Sequence, residues 1–133
     1  MADPATLRQK REAVVREHMQ SENELRFDDT IATFSHPRYE MIPTGDVYDG
    51  EEEVRGYYRD SRDIVPDQRN EVIAMHHTDD AVVVEFWLRG TPKGTATKFE
   101  CRMTAFFDFD GDRITNERVY WDRETISRQL GRP

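Results

Sequence analysis

The sequence predicts an α+β domain: three helices, then a strongly bent antiparallel sheet, then a short closing helix from about Arg123 to Leu130. Three observations carry this. Helix-start residues and helical apolar spacing fill the segment before Pro66, apolar and polar residues alternate from Val82 onward, and Asp110-Gly111 marks a tight hairpin reversal.

The first helix opens on Asp3, an N-cap residue, with Pro4 at the first helical position; Leu7, Val14, Val15 and His18 then recur on one face. Ser21 and Glu24 have the spacing of a capping box and predict the start of a second helix, which Pro37 would end. Asp49, with Glu52 three residues on, predicts a third, in which Val54, Tyr57, Tyr58 and Ile64 follow helical spacing up to Pro66.

Strands fill the remainder. Val82, Val84, Phe86 and Leu88 form an aliphatic row facing the core, which turns Glu85, Trp87 and Arg89 outward. Phe99, Cys101, Met103, Ala105, Phe107 and Phe109 make an unbroken apolar row, and Ile114 starts the returning strand. Strict alternation from Ile114 puts Asn116, Arg118, Tyr120 and Asp122 on one face and Thr115, Glu117, Val119 and Trp121 on the other. If Phe109 and Ile114 close one hydrophobic corner, the Asn116 to Asp122 row lines a concavity beside the apolar row. Polar groups converging on a greasy wall are the usual composition of a small-molecule site.

Composition narrows the function classes. A chain of 133 residues is one domain, residues 1–133. A formal charge of −8 argues against binding nucleic acid or anionic membranes, and points to a small molecule or another protein. No apolar run approaches the roughly 20 residues of a membrane span, charges occupy the place of a signal peptide's apolar region, and the single cysteine permits no internal disulfide. A cytoplasmic protein is the expectation.

Several motifs fail on geometry. Asp108-Phe-Asp110-Gly-Asp112 resembles the opening of a calcium loop, but its glycine comes two positions early and the twelfth position is Val119. His76 and His77 are strand neighbours on opposite faces and cannot chelate one ion together, although one could face the pocket. Gly90-Thr-Pro-Lys-Gly94 lacks phosphate-loop spacing, and Cys101 reads as a buried thiol. No pattern calls for a metal or a cofactor.

The run Phe107-Asp-Phe-Asp-Gly-Asp-Arg-Ile114, the Asp122 eight residues after that Ile, and the closing Gln129-Leu-Gly131 resemble the C-terminus of SnoaL-like proteins, in the superfamily of the ketosteroid isomerases and nuclear transport factor 2. His36-Pro-Arg-Tyr-Glu40, Pro43-Thr-Gly45, Tyr48-Asp-Gly50 and Gly90-Thr91 extend the likeness over nearly the whole chain. The resemblance implies a nuclear transport factor 2-like cone, helices on a bent sheet enclosing a pocket. It also implies that Asp122 corresponds to the proposed general acid and base of the SnoaL-like cyclases. Pro92 departs from it, standing where many relatives have a histidine after Gly-Thr.

Asp122 can be read in two ways: a pocket carboxylic acid with a raised pKa, or an N-cap of the closing helix with a lowered one. His36, at the expected pocket rim, is the second catalytic candidate. Tyr39, Tyr57, Tyr58, Met103, Asn116, Arg118 and Tyr120 are the expected ligand-binding residues, the tyrosines doubling as packing. The expected activity is proton transfer next to a carbonyl of an apolar substrate, of the cyclase or isomerase type. The alternative is a non-catalytic ligand-binding or assembly domain with Asp122 only a cap. A homodimer is expected through the convex sheet face, built from Glu85, Trp87, Arg89, Arg102, Thr104, Phe106, Glu117, Val119 and Trp121.

Overall fold

The computed structural model describes residues 3–132. Helix α1 (Pro4–Asn23) is followed by α2 (Phe27–Ala32), strands β1 (Arg38–Met41) and β2 (Asp46–Asp49), α3 (Glu51–Ile64), β3 (Arg69–His77), β4 (Ala81–Gly90), β5 (Phe99–Asp110), β6 (Arg113–Tyr120) and α4 (Arg123–Gln129). The strands form one open sheet in the order β2-β1-β6-β5-β4-β3. β1 pairs with β6 in parallel, through Tyr39 with Glu117 and Met41 with Val119, so the sheet is mixed rather than purely antiparallel. Among the described residues, no helix is long and apolar enough to cross a membrane.

α1 runs through the predicted second start. Ser21 is buried inside it, its hydroxyl donating to the His18 carbonyl (2.9 Å) and meeting Thr30 Oγ1 (2.6 Å), so the Ser21–Glu24 box does not form. The chain reverses instead at Leu25, at a φ of 59°. α2 stops at Ala32, five residues before Pro37. α3 is capped by Gly50, not Asp49, and Glu53 rather than Glu52 reaches back to accept the Asp49 amide (2.9 Å). Its Ile64 is exposed and plays no part in the apolar face. β1 alternates, with Tyr39 and Met41 buried between half-buried Arg38 and Glu40, whereas β2 is largely exposed.

Buried Arg11 ties α1 to two turns, donating to the carbonyls of Gly111 (2.8 Å) and Asp79 (3.0 Å). Asn23 and Asn70 exchange reciprocal bonds, Asn23 Nδ2 to the Asn70 carbonyl (2.9 Å) and the Asn70 amide to Asn23 Oδ1 (2.8 Å), which clamp the end of α1 to β3. α4 closes the open end of the sheet: Gln129 accepts from the Glu100 amide and donates to its carbonyl, both at 2.8 Å. It ends in a Schellman motif on Gly131 (φ 67°), with Arg132 N–H to Ser127 and Gly131 N–H to Arg128.

The predicted rows of β4 and β5 face the core as expected, from Val82, Val84 and Phe86 to Phe107 and Phe109. β6 does not alternate as predicted. Phe109 pairs with Ile114 and Asp108 with Asn116, so one step along β5 matches two along β6, and Thr115 is an extra residue in a β-bulge. Beyond the bulge every side chain is on the opposite face from the one strict alternation assigns. Glu117, Val119 and Trp121 turn inward, while Asn116, Arg118 and Tyr120 turn outward.

Candidate functional site

Between the helices and the concave sheet face is a cavity of about 310 Å³. Met41, Phe86, Leu88, Met103, Val119 and Ile126 supply its apolar wall, and Tyr39, Tyr48, Tyr57 and Trp121 its aromatic one. Glu22, Asp46, Glu117, Thr44, Gln68 and Asn70 are the polar groups that reach it. The Asn23–Asn70 clamp and the docking of α4 position Asn70 and Ile126 there.

A buried ionisable cluster forms the deep wall. His18 and Glu22 lie one turn apart on the inner face of α1, and Glu117 reaches them from β6 because of the bulge. His18 is 0% exposed, and its Nε2 lies 2.8 Å from Glu22 Oε1 and 2.9 Å from Glu117 Oε1. Thr33 spends its hydroxyl proton on the Thr30 carbonyl (2.6 Å), so it accepts from His18 Nδ1 (3.0 Å). That leaves Nε2 to carry a second proton between two carboxylates. Burial alone would lower the His18 pKa, but the attraction of Glu117 and Glu22 outweighs it and raises it to about 9.

The two carboxylates differ. Burial pushes Glu22 up, but bonding to His18 and Arg62 brings it below the ordinary range; Arg62 Nη2 donates to its Oε2 (3.2 Å) and the Tyr39 hydroxyl to its Oε1 (3.2 Å). Tyr58 completes the chain with a 2.5 Å bond to the Tyr39 hydroxyl. Glu117 is 4% exposed, and burial pushes its carboxyl above the ordinary range. Its Oε1 pairs with the His18 ring at 2.9 Å without the alignment of a full hydrogen bond. The cluster thus holds a carboxylate braced by arginine, its pKa lowered, beside a second on the cavity wall whose pKa is raised, and such a divergence separates acid from base roles.

The donor atoms of His18, Glu22 and Glu117 all lie within 4.8 Å of one another, close enough to hold a metal ion. The imidazolium and Arg62 already balance two carboxylates, so charge alone calls for no further cation.

Several predicted site residues lie elsewhere. Asp122 is exposed at the N-cap of α4, accepting from the Glu124 amide (3.0 Å) and the Thr125 hydroxyl (2.8 Å), and the Thr125 bond foremost holds its carboxyl below the ordinary range. It does not line the cavity. His36 Nε2 meets Asp49 Oδ1 at 2.5 Å, with a side chain 62% exposed. Outside the sheet, Asn116 bonds Arg38 and Glu40, Arg118 pairs with Asp108, and Tyr120 packs edge-on to Phe106. Tyr39, Tyr57 and Met103 do line the cavity, whereas Tyr58 sits behind it, stacked on Phe27. His77 meets Glu12 and His76 meets Glu85, both away from the cavity. Cys101 is a buried thiol, its pKa raised by burial.

Sequence reasoning missed Glu117 and Glu22. A parity break betrays the first: Ile114 is even-numbered while Val119 and Trp121 are odd, so one apolar face requires an extra residue between them. The second follows from Val15, His18, Met19 and Glu22, which share one helical stripe.

Solved structures share this architecture. A protein with a ketosteroid isomerase-like fold from Catenulispora acidiphila DSM 44928, in complex with trimethylamine, superposes with a TM-score of 0.83 at 19% identity, over 90% of this chain and 93% of that one. A phenazine biosynthesis-related protein from Pseudomonas aeruginosa gives 0.81 at 20% identity, over 98% and 91%. The epoxide hydrolase/cyclase-like enzyme SalBIII, of pyran ring formation in the polyether salinomycin, gives 0.78 at 20%, over 89% and 95%. At these identities the likeness is one of fold. No curated protein matches the sequence. The family model described as the SnoaL-like domain matches residues 15–117, and the chain belongs to that family.

Proposed function

We propose that the protein transfers a proton next to the carbonyl of an apolar small molecule, with Glu117 as the carboxylate that takes and returns it. The observation that carries this reading is a buried carboxyl of raised pKa on the cavity wall, held at 2.9 Å by His18. His18 and Glu22 position Glu117 and let its charge change with little rearrangement. Tyr57 lines the same cavity, and the bonds of the cluster use Tyr39 and Tyr58 but leave its hydroxyl out; it is the donor for the enolate oxygen. The cyclase-like and isomerase-like proteins of the same fold support the reaction class by analogy.

The test is hydrogen–deuterium exchange of a panel of apolar ketones in D2O, followed by proton NMR. Exchange at the carbon beside the carbonyl, catalysed by the wild type and lost in Glu117→Gln, supports the reading. Wild-type rates no higher than buffer across the panel contradict it.

A further inference from the structure

Every ionisable side chain on the cavity wall other than the tyrosines is acidic: Glu22, Asp46 and Glu117. The cations of the cluster, His18 and Arg62, stand behind these carboxylates and do not reach the wall. Glu22 and Glu117 each lie within ion-pair distance of His18, and Glu22 also of Arg62. Asp46 differs: it accepts from the Thr44 hydroxyl (2.8 Å), and among the described residues no cation pairs with it. It opens β2, two residues before Tyr48, whose ring stacks on Tyr57 at 4.8 Å; Tyr57 in turn lies 5.3 Å from Tyr39. One carboxylate without a counter-ion thus borders a run of three aromatic rings. Glu117, 4% exposed and paired with His18 at 2.9 Å, lines the same cavity at its deep wall.

We propose that the ligand of this cavity carries a cationic nitrogen, a tertiary or quaternary amine, held beside Asp46 and the Tyr48–Tyr57 pair. Aromatic faces attract a cation through the ring quadrupole, and Asp46, the wall carboxylate without a counter-ion among the described residues, supplies the balancing charge. The inference rests on the proton-transfer reading and narrows it. The amine is seated at the β2 side, leaving Glu117 free to act on a carbonyl carried by the same skeleton. A cation placed there also fixes the orientation of an otherwise apolar body.

The test uses two molecules of one shape and different charge, phenyltrimethylammonium and tert-butylbenzene, with affinity measured by calorimetry or by competition. Ordinary hydrophobic binding favours the neutral hydrocarbon. The proposal expects the ammonium to bind roughly ten-fold more tightly. It also expects Asp46→Asn, its folding checked by a thermal melt, to erase most of that preference by weakening the binding of the ammonium. Equal affinities, a preference for the hydrocarbon, or a preference that survives Asp46→Asn overturns it. The outcome is separable from the parent reading. A missing charge preference beside intact Glu117-dependent exchange removes the amine alone, and a charge preference without exchange removes the proton transfer alone.

Discussion

His18 of α1 and Glu117 of β6 meet at 2.9 Å although 99 residues apart in sequence, and this contact joins the first helix to the last strand at the deep wall of the cavity. The bulge at Thr115 makes the meeting possible, because it turns Glu117 inward.

The His18 pair gives stability a pH dependence of definite sign. The folded pKa, about 9, lies above the ordinary histidine value of 6.5, so the stabilisation is whole below about pH 6.5 and is lost as pH rises through 9. The integrated loss is on the order of 3 kcal/mol. Urea unfolding from pH 6 to 10 should show wild-type stability falling across that window, and His18→Gln should flatten the fall. Parallel curves for the two proteins would contradict the charge assignment.

The bulge makes a sharp prediction about deletions. Removing Thr115 leaves Ile114 opposite Phe109 and makes Asn116 opposite Asp108 the next regular pair, so Glu117 still faces inward and the protein should fold. Removing Arg118 instead turns Val119 and Trp121 away from the core and should abolish cooperative unfolding. Circular dichroism and thermal melts of the two deletions distinguish them; equal tolerance would contradict the register.

We propose a homodimer through the outer sheet face, on a patch smaller than strict alternation suggests. Glu117, Val119 and Trp121 point inward and are lost to it. What remains is Trp87, with the guanidinium groups of Arg89 and Arg102 at 5.3 and 5.8 Å, beside the Phe106–Tyr120 pair, in which Tyr120 is 40% exposed. Sedimentation at micromolar concentration should give a dimer for the wild type and a monomer for Phe106→Glu, Tyr120→Lys. A wild-type monomer would contradict it.

The helix content, the inward rows of β4 and β5, the Asp110-Gly111 hairpin and the closing helix were legible because each depends on local periodicity or turn chemistry. The site was only partly so. Asp122 fits both a pocket acid and a cap from sequence alone, and the cap wins because Glu124 and Thr125 lie within reach of its carboxylate. Ser21 and Glu24 have the spacing of a start signal, but contact with Thr30 keeps α1 helical past Ser21, to Asn23. Glu117 was hidden by one inserted residue, since strand periodicity carries no memory across a bulge. The parallel β1–β6 pairing depends on contacts between positions nearly eighty residues apart, which no local pattern encodes.

The central claim is that Glu117, and not Asp122, moves the proton. Its most direct measurement places Glu117→Gln and Asp122→Asn side by side in the ketone exchange assay, each checked for folding by its thermal melt. Glu117→Gln should lose at least about a hundred-fold in rate, the usual contribution of a positioned acid or base. Asp122→Asn retains capping ability, should melt close to the wild type and should exchange at the wild-type rate. A folded Glu117→Gln at full rate, or loss of exchange in Asp122→Asn instead, would contradict the account.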